Sequence, residues 1–355
     1  MQGAGVSTVD ELIMGNVLPA GQGQAPARQA GFSGGLSKSV PATTVNKMCG
    51  SGMKAVMMAM DQLRAGSAEI IVAGGMESMS KAPYLLPKMR DGARMGGSVA
   101  QDHMFLDGLQ DAYDEGRLMG SFAEDCAEKY QFSREQQDAF ALRSLARAQA
   151  AQASGAFVAD IATVRIETRK GEVVVDQDEQ PKRAMPEKIP HLKPAFKEDG
   201  TVTAANASSI SDGAAALVLM RESKARDLGL AVQARLLSHA THAQEPGWFT
   251  TAPIPAIRTA LERTGLSASD VELWEINEAF AVVPMAAARE LGIVEDRLNI
   301  NGGACALGHP IGASGARILV SLMSAMERNS ATTGVAALCI GGGEGTAIVV
   351  ERPAA

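Results

Sequence analysis

The chain has 355 residues, 46% of them hydrophobic and 21% charged, with 37 glycines. That length exceeds what one hydrophobic core usually serves, so two domains or one large α/β unit are expected. A formal charge of −7 argues against a nucleic-acid binder, and the four cysteines at 49, 126, 305 and 339 have neither C-x-x-C nor zinc spacing, against a disulfide scaffold or a structural metal site.

Val9 to Val17 reads as a short buried strand entering a loop. Residues 19–40 are rich in Gly, Gln, Ala and Ser, with an amphipathic piece around Ala25 to Ala30. An extended stretch, Pro41 to Val45, leads through Asn46-Lys47-Met48-Cys49-Gly50-Ser51-Gly52 into an apolar helix over about Met53 to Leu63. Cys49 therefore sits near a helix N-terminus, where free backbone N–H groups and the helix dipole favour a thiolate. Gly50 and Gly52 let the backbone come close to a substrate. A small cysteine packed under a helix is the alternative. Ala68 to Ala73 is a strand, and Gly74-Gly75-Met76-Glu77-Ser78 is expected to end it in a glycine turn.

Residues 80–202 differ in character, with frequent Met, Pro, Gly and charged residues. Glu124 to Ser154 is helical, and Ser133-Arg134-Glu135-Gln136 resembles a capping box inside it. Val164 to Ile166 and Glu172 to Val175 suggest a small hairpin. Pro181 to Lys197 carries Lys182, Arg183, Lys188, Lys193 and Lys197, either a solvated loop or a positive rim for a phosphorylated ligand. Thr203 to Ser211 is small and polar, and Ala214 to Met220 reads as a strand returning to the first unit.

The C-terminal part repeats this order. Ser51-Gly52 and the helix after it resemble Ser314-Gly315 and its helix; Gly74-Gly75-Met76-Glu77 resembles Gly341-Gly342-Gly343-Glu344; Val9 to Asn16 resembles Val271 to Asn277 with one gap. Three matches in one order indicate two similar α/β halves related by a pseudo-two-fold axis. Gly5-Val6-Ser7 aligns with Gly265-Leu266-Ser267, so residues 231–260 have no counterpart. They hold a strand (about Gln233 to His239) and a helix beginning near Ile254, and an equivalent first strand and helix are expected to be missing ahead of Met1.

Three clusters lie at strand ends or in glycine-rich turns, where α/β sheets build their sites. They are Asn277-Glu278-Ala279-Phe280, the stretch Asn301 to Gly315 around Gly308-His309-Pro310-Ile311-Gly312, and Cys339-Ile340-Gly341-Gly342-Gly343. If the halves pair about a two-fold axis, Cys49 and His309 occupy equivalent loops facing one cleft. With these motifs, and with Ala73-Gly74-Gly75-Met76-Glu77-Ser78-Met79-Ser80, the chain closely resembles the thiolase family over almost its whole length.

That resemblance implies duplicated α/β halves stacked in five layers (αβαβα) with an inserted loop domain, divided as 1–80 plus 203–230, 81–202 and 231–355. It also implies a homotetramer, a dimer of dimers. Cys49 would be the nucleophile that takes an acyl group from coenzyme A as a thioester. His309 would accept the thiol proton and later line an oxyanion hole, and Cys339 would be the second acid/base. Asn277 would act through a bound water, and the N–H groups of Cys49 and Gly341 would hold the other oxyanion. The pantetheine tunnel maps onto Met119, Ala204, Ser208, Ala279 and Phe280. Leu118 departs from the family's histidine at that position, making a polar wall apolar.

Coenzyme A would serve as co-substrate with no tightly bound cofactor or metal, acetyl-CoA and acyl-CoA or 3-ketoacyl-CoA as partners, neither nucleic acid nor membrane as partner, and the cytoplasm as setting. Cys126 and Cys305 read as packing residues. Two other readings stand beside this one: a ketoacyl-synthase-type condensing enzyme, in which histidines replace the second cysteine, and a non-catalytic acyl-CoA-binding relative.

Overall fold

The computed structural model describes residues 8–353. The strand and helix expected ahead of Met1, and the Gly5 to Ser7 match, lie outside them. The first half opens with β1 (Glu11–Gly15), α1 (Pro26–Ser33), β2 (Ala42–Val45), α2 (Ser51–Ala65) and β3 (Ile70–Ser78). The chain then leaves the sheet. It forms β4 (Tyr84–Leu85) and β5 (Gln101–Asp102), one π-helical turn over Phe105–Leu109, and the helices α3 (Met119–Tyr130) and α4 (Arg134–Ala153). An exposed hairpin of β6 (Val164–Thr168) and β7 (Gly171–Val175) and the short α5 (Gln180–Arg183) follow. β8 (Asp212–Met220) returns to pair antiparallel with β3. The predicted capping box is present: the Ser133 hydroxyl accepts from Gln136 N, and the Gln136 side chain accepts from Ser133 N.

After α6 (Glu222–Asp227) the second half runs β9 (Arg235–Ala243), α7 (Pro253–Glu262), β10 (Leu273–Ile276), α8 (Val282–Leu291), α9 (Ala304–Leu307), α10 (Ser314–Arg328), β11 (Thr333–Ile340) and β12 (Glu344–Glu351). Two four-stranded sheets result, ordered β2-β1-β3-β8 and β10-β11-β12-β9. β1 pairs parallel with β3, as β10 does with β11, and the next strand in each sheet is antiparallel. β12 has β9 on its far side, whereas β8 pairs only with β3 among the described residues.

α2 and α10 lie side by side between the sheets, α1 covers the outside of the first sheet, and α7 covers the outside of the second. This is the expected five-layer arrangement. Alternation along β1 serves it. Ile13 faces the central layer with Met53, Met57, Ile318 and Leu322, while Leu12 and Met14 face α1. The central helices cross at their N-termini almost backbone to backbone. A Cβ on Gly52 would lie 2.9 Å from Ala316 N, and one on Gly315 would run into Met53. This contact brings the loops in front of the two helices together.

One expectation is corrected. β3 does not end at Gly74-Gly75 but continues to Ser78. The glycines serve close approach rather than turning: a side chain on Gly74 would strike the Ala215 carbonyl, and one on Gly75 the Gly312 carbonyl.

Candidate active site

Cys49 sits on a tight elbow between β2 and α2. Met48, just before it, has φ of +48°, an uncommon conformation for a long side chain. Side chains hold the elbow. Asn46 Oδ1 accepts from Met48 N at 2.9 Å, and Ser51 Oγ accepts from Lys47 N at 2.8 Å while donating to the Met48 carbonyl at 2.6 Å.

The second-half loop delivers His309. Its Nδ1 lies 2.6 Å from Ser314 Oγ and 3.4 Å from Asn277 Nδ2, and its Nε2 is buried without a partner. Asn277 follows β10 and extends the ladder by donating its N–H to the Ala337 carbonyl at 2.9 Å. Cys339 is buried near the end of β11, and Gly341 begins the turn into β12.

Cys49, His309, Cys339 and Gly341 line one cavity of about 240 Å³. Its walls include Met119, Ala207, Ser208, Ala279, Phe280, Phe196 and Phe249, and Leu118, Phe105, Leu109, Ile311 and Met79 add apolar surface. Met119, Ser208, Ala279 and Phe280, expected along a pantetheine tunnel, are in the lining of this cavity. Ala204 is not: it is exposed and outside this lining. Asn206 Oδ1 bonds back to Thr203 N and closes a turn that leaves Ala204 outward, so Ala207 reaches the cavity instead. Lys182, Arg183, Lys188, Lys193 and Lys197 are all exposed. His309 is the only histidine among the described residues that lines the cavity.

The electrostatics revise the expectation of a ready thiolate. The backbone amides of Gly341 and Cys49 pull the Cys49 pKa down, but burial outweighs them and pushes it up to about 11. Burial also drives Cys339 well above the ordinary thiol value, with Cys49 adding to the effect. His309 is pushed down to about 3 by burial and then by the Arg317 charge. At neutral pH the site thus holds two thiols and a neutral imidazole, so an anion forms only by proton transfer within it.

Three buried residues that frame this geometry were not singled out by sequence reasoning. Glu77 accepts from Asn16 Nδ2 at 3.0 Å, Val17 N at 2.9 Å, Leu18 N at 3.1 Å and Gly312 N at 2.9 Å, joining the halves beside the His309 loop. Glu278 accepts from Ser144 Oγ at 2.7 Å, Asn299 Nδ2 at 2.8 Å and Cys305 N at 3.0 Å. Ser314 touches His309 directly. Glu77 and Glu278 lie inside the quoted motifs, but no pattern marks a glutamate as buried. The repeat does pair Ser314 with Ser51, and that was the available signal.

Comparison with known proteins agrees with this architecture. Residues 2–223 match the description "Thiolase, N-terminal domain" and residues 230–352 match "Thiolase, C-terminal domain". An acetyl-CoA acetyltransferase of Escherichia coli is 52% identical over 346 residues, covering 97% of this chain and 88% of that protein. One from Allochromatium vinosum is 50% identical over 346 residues, with the same 97% and 88% coverage. Among solved structures, the Bacillus anthracis acetyl-CoA acetyltransferase has a TM-score of 0.95 at 40% identity, covering 99% of this chain and 91% of that one. The Acat5 thiolase from Ascaris suum in complex with coenzyme A has a TM-score of 0.91 at 44% identity, covering 98% and 88%.

Fold and cavity define a two-half α/β protein with paired thiols and one imidazole at the junction of its halves. The chain belongs to the thiolase family. The ketoacyl-synthase-type and non-catalytic readings find no support in these matches.

Proposed function

We propose that the chain is an acetyl-CoA C-acetyltransferase. It catalyses the reversible Claisen condensation of acetyl-CoA with an acyl-CoA, and thiolysis of a 3-ketoacyl-CoA, through an acyl-Cys49 thioester. The convergence of Cys49, His309 and Cys339 on one largely apolar cavity carries this reading. The names of the E. coli and A. vinosum relatives support the reaction, and the coenzyme A complex of the A. suum thiolase supports the ligand.

In the first half-reaction His309 takes the proton from Cys49. The thiolate attacks the thioester carbonyl of acyl-CoA, and the coenzyme A thiolate leaves and takes the proton of Cys339, which stays behind as a thiolate while His309 keeps the proton from Cys49. The N–H groups of Cys49 and Gly341 hold the oxyanion of the tetrahedral intermediate. In the second, Cys339 removes a proton from the α-carbon of acetyl-CoA. His309 and Asn277, the latter through a water, stabilise the enolate oxygen. The carbanion attacks acyl-Cys49, and the Cys49–acyl bond breaks to free the 3-ketoacyl-CoA, the Cys49 thiolate taking its proton back from His309. Coenzyme A enters as co-substrate, its pantetheine arm along Met119, Ser208, Ala279 and Phe280.

The domain division 1–80 plus 203–230, 81–202 and 231–355 belongs to the same reading, as do a role in fatty-acid metabolism and a cytoplasmic setting suited to four free thiols. So does a homotetrameric assembly, for which Tyr84, Leu86, Met95 and Val99 offer exposed apolar surface.

Peptide mass spectrometry after mixing the protein with acetyl-CoA tests the core of the reading. The expected result is an acetyl adduct on Cys49 that free coenzyme A removes. A folded protein without the adduct, or with it on another residue, would overturn the assignment.

A further inference from the structure

We propose that Ser314 is a positioning residue that keeps the His309 imidazole in the tautomer protonated at Nδ1, so that Nε2 faces the cavity as a bare proton acceptor. The inference deepens the reading of His309 as the base for Cys49 and rests on it.

Ser314 is the first residue of α10 and is completely buried. Its hydroxyl has one proton and two neighbours: the Pro310 carbonyl oxygen at 3.0 Å and His309 Nδ1 at 2.6 Å. A hydroxyl that donates to the carbonyl can only accept from the ring, which places the ring proton on Nδ1. The Asn277 Nδ2 at 3.4 Å from Nδ1 would then face a second donor, and turning the Asn277 amide over presents instead its oxygen, which is buried without a partner where it stands. The first half supports this assignment independently. Its equivalent residue, Ser51, donates to the Met48 carbonyl at 2.6 Å and accepts an N–H from Lys47 at 2.8 Å. Both helix-start serines thus give their proton to a carbonyl of the preceding loop and receive an N–H on the other side. In the first half the N–H is backbone and tightens the elbow under Cys49. In the second it is the imidazole's own. The buried, unpartnered His309 Nε2 is the counterpart of this arrangement, since an acceptor left open inside a protein is tolerated better than an orphan N–H.

The reverse arrangement, with Ser314 donating to Nδ1 and Nε2 protonated, makes His309 a hydrogen-bond donor at rest. It would then be unable to accept the Cys49 proton at Nε2. The two cases differ in a measurable way.

Solid-state ¹⁵N NMR on protein labelled at its histidine rings separates them without coenzyme A, so the result stands apart from the acyl-adduct test. The His309 signals are identified as those absent from His309→Gln. In the unaltered protein the expected pattern is a protonated Nδ1 and an unprotonated Nε2. A protonated Nε2 would overturn the proposal. Ser314→Ala should give a mixture of tautomers and slow iodoacetamide alkylation of Cys49 at neutral pH in proportion to the lost share of the Nδ1-protonated form, about 2-fold for an equal mixture, and Ser314→Thr should restore most of the rate and the single tautomer. A folded Ser314→Ala protein that keeps one tautomer and the original alkylation rate would reject the role. If Ser314→Ala does not fold, the unaltered protein and Ser314→Thr still decide the tautomer.

Discussion

The tip of β3 and the tip of β11 carry related sequences with opposite outcomes. Gly74-Gly75-Met76-Glu77 stays in the strand, paired with Ala216, Ala215, Ala214 and Gly213 of β8. Gly341-Gly342-Gly343 leaves the ladder and turns at once into β12, with φ of +89° at Gly342 and +86° at Gly343. In the first half Gly74 makes room for the Ala215 carbonyl of β8 and Gly75 for the Gly312 carbonyl of the second half. In the second, glycine permits a tight turn that leaves the Gly341 amide at the Cys49 sulfur. The two terminal glutamates diverge likewise. Glu77 is buried under four hydrogen bonds, and Glu344 forms a half-exposed ion pair with Lys47. A duplicated motif has thus kept its residues while dividing its duties: one copy joins the halves and the other shapes the cavity.

The largest effect should come from the strand that ends at the site. Cys339→Ser should lower condensation and thiolysis by about 10³-fold while leaving acetylation of Cys49 by acetyl-CoA intact. Steady-state rates and peptide mass measured together check this. Full thiolysis in the variant would mean that the second half supplies no base through Cys339.

Next comes the glycine pair itself. Gly74→Ala forces a methyl group against the Ala215 carbonyl and should cost about 3 kcal/mol of stability or prevent folding. At the equivalent Gly341 the nearest atom to an added methyl is the flexible Met119 sulfur at 3.4 Å, so Gly341→Ala should stay within about 1 kcal/mol. Thermal denaturation of both variants tests the contrast. Equal losses would mean that the two glycine tips are packed alike.

Much of this was legible in the chain. The 3.6-residue apolar period of α2 and α10, the order β1, β2, α2, β3 and the repeat all follow from local patterning that survives folding. Cys49, His309 and Cys339 stood out because each lies next to glycines at a strand or helix end. The rest depends on contacts between halves. Whether Gly75 turns or packs is decided by the Gly312 carbonyl, which is 237 residues away in the chain. The Cys49 pKa is decided by burial from both halves rather than by the helix start beside it, so the local argument gave the wrong sign. Met48 carries no residue signal for its positive φ; the elbow is imposed by Asn46 and Ser51 around it.

The glutamates give a smaller contrast. Glu77→Gln places an amide N–H₂ among four donors and should cost about 2 kcal/mol, because two of them lose their acceptor, either Asn16 Nδ2 and Leu18 N at Oε1 or Val17 N and Gly312 N at Oε2. Glu344→Gln weakens only a partly exposed pair and should cost at most about 1 kcal/mol. Chemical denaturation of the two variants ranks them, and a reversed order would move the inter-half joint away from Glu77.

The subtlest difference lies in the equivalent strands β1 and β10 and shows only as a pH dependence. Counting back from Asn16 and Asn277, the second half places Glu275 where the first half has Met14, and both side chains are buried. Burial pushes the Glu275 pKa up from 4.5 to about 8, against a partial pull from Arg317. Below pH 4.5 the folded and unfolded chains both hold this proton, and the group contributes nothing to the pH dependence. Between 4.5 and 8 the unfolded chain releases the proton while the folded chain keeps it. Stability therefore falls as pH rises, by up to about 1.4 kcal/mol per pH unit, and levels off above pH 8. Glu275→Gln removes the titration, so its stability should decline less from pH 5 to 8 than that of the unaltered protein. Parallel melting curves across that range for the two proteins would instead mean that Glu275 is ionised when folded, with Arg317 as its effective counter-charge. The second sheet would then hold an ion pair at the place where the first holds a methionine.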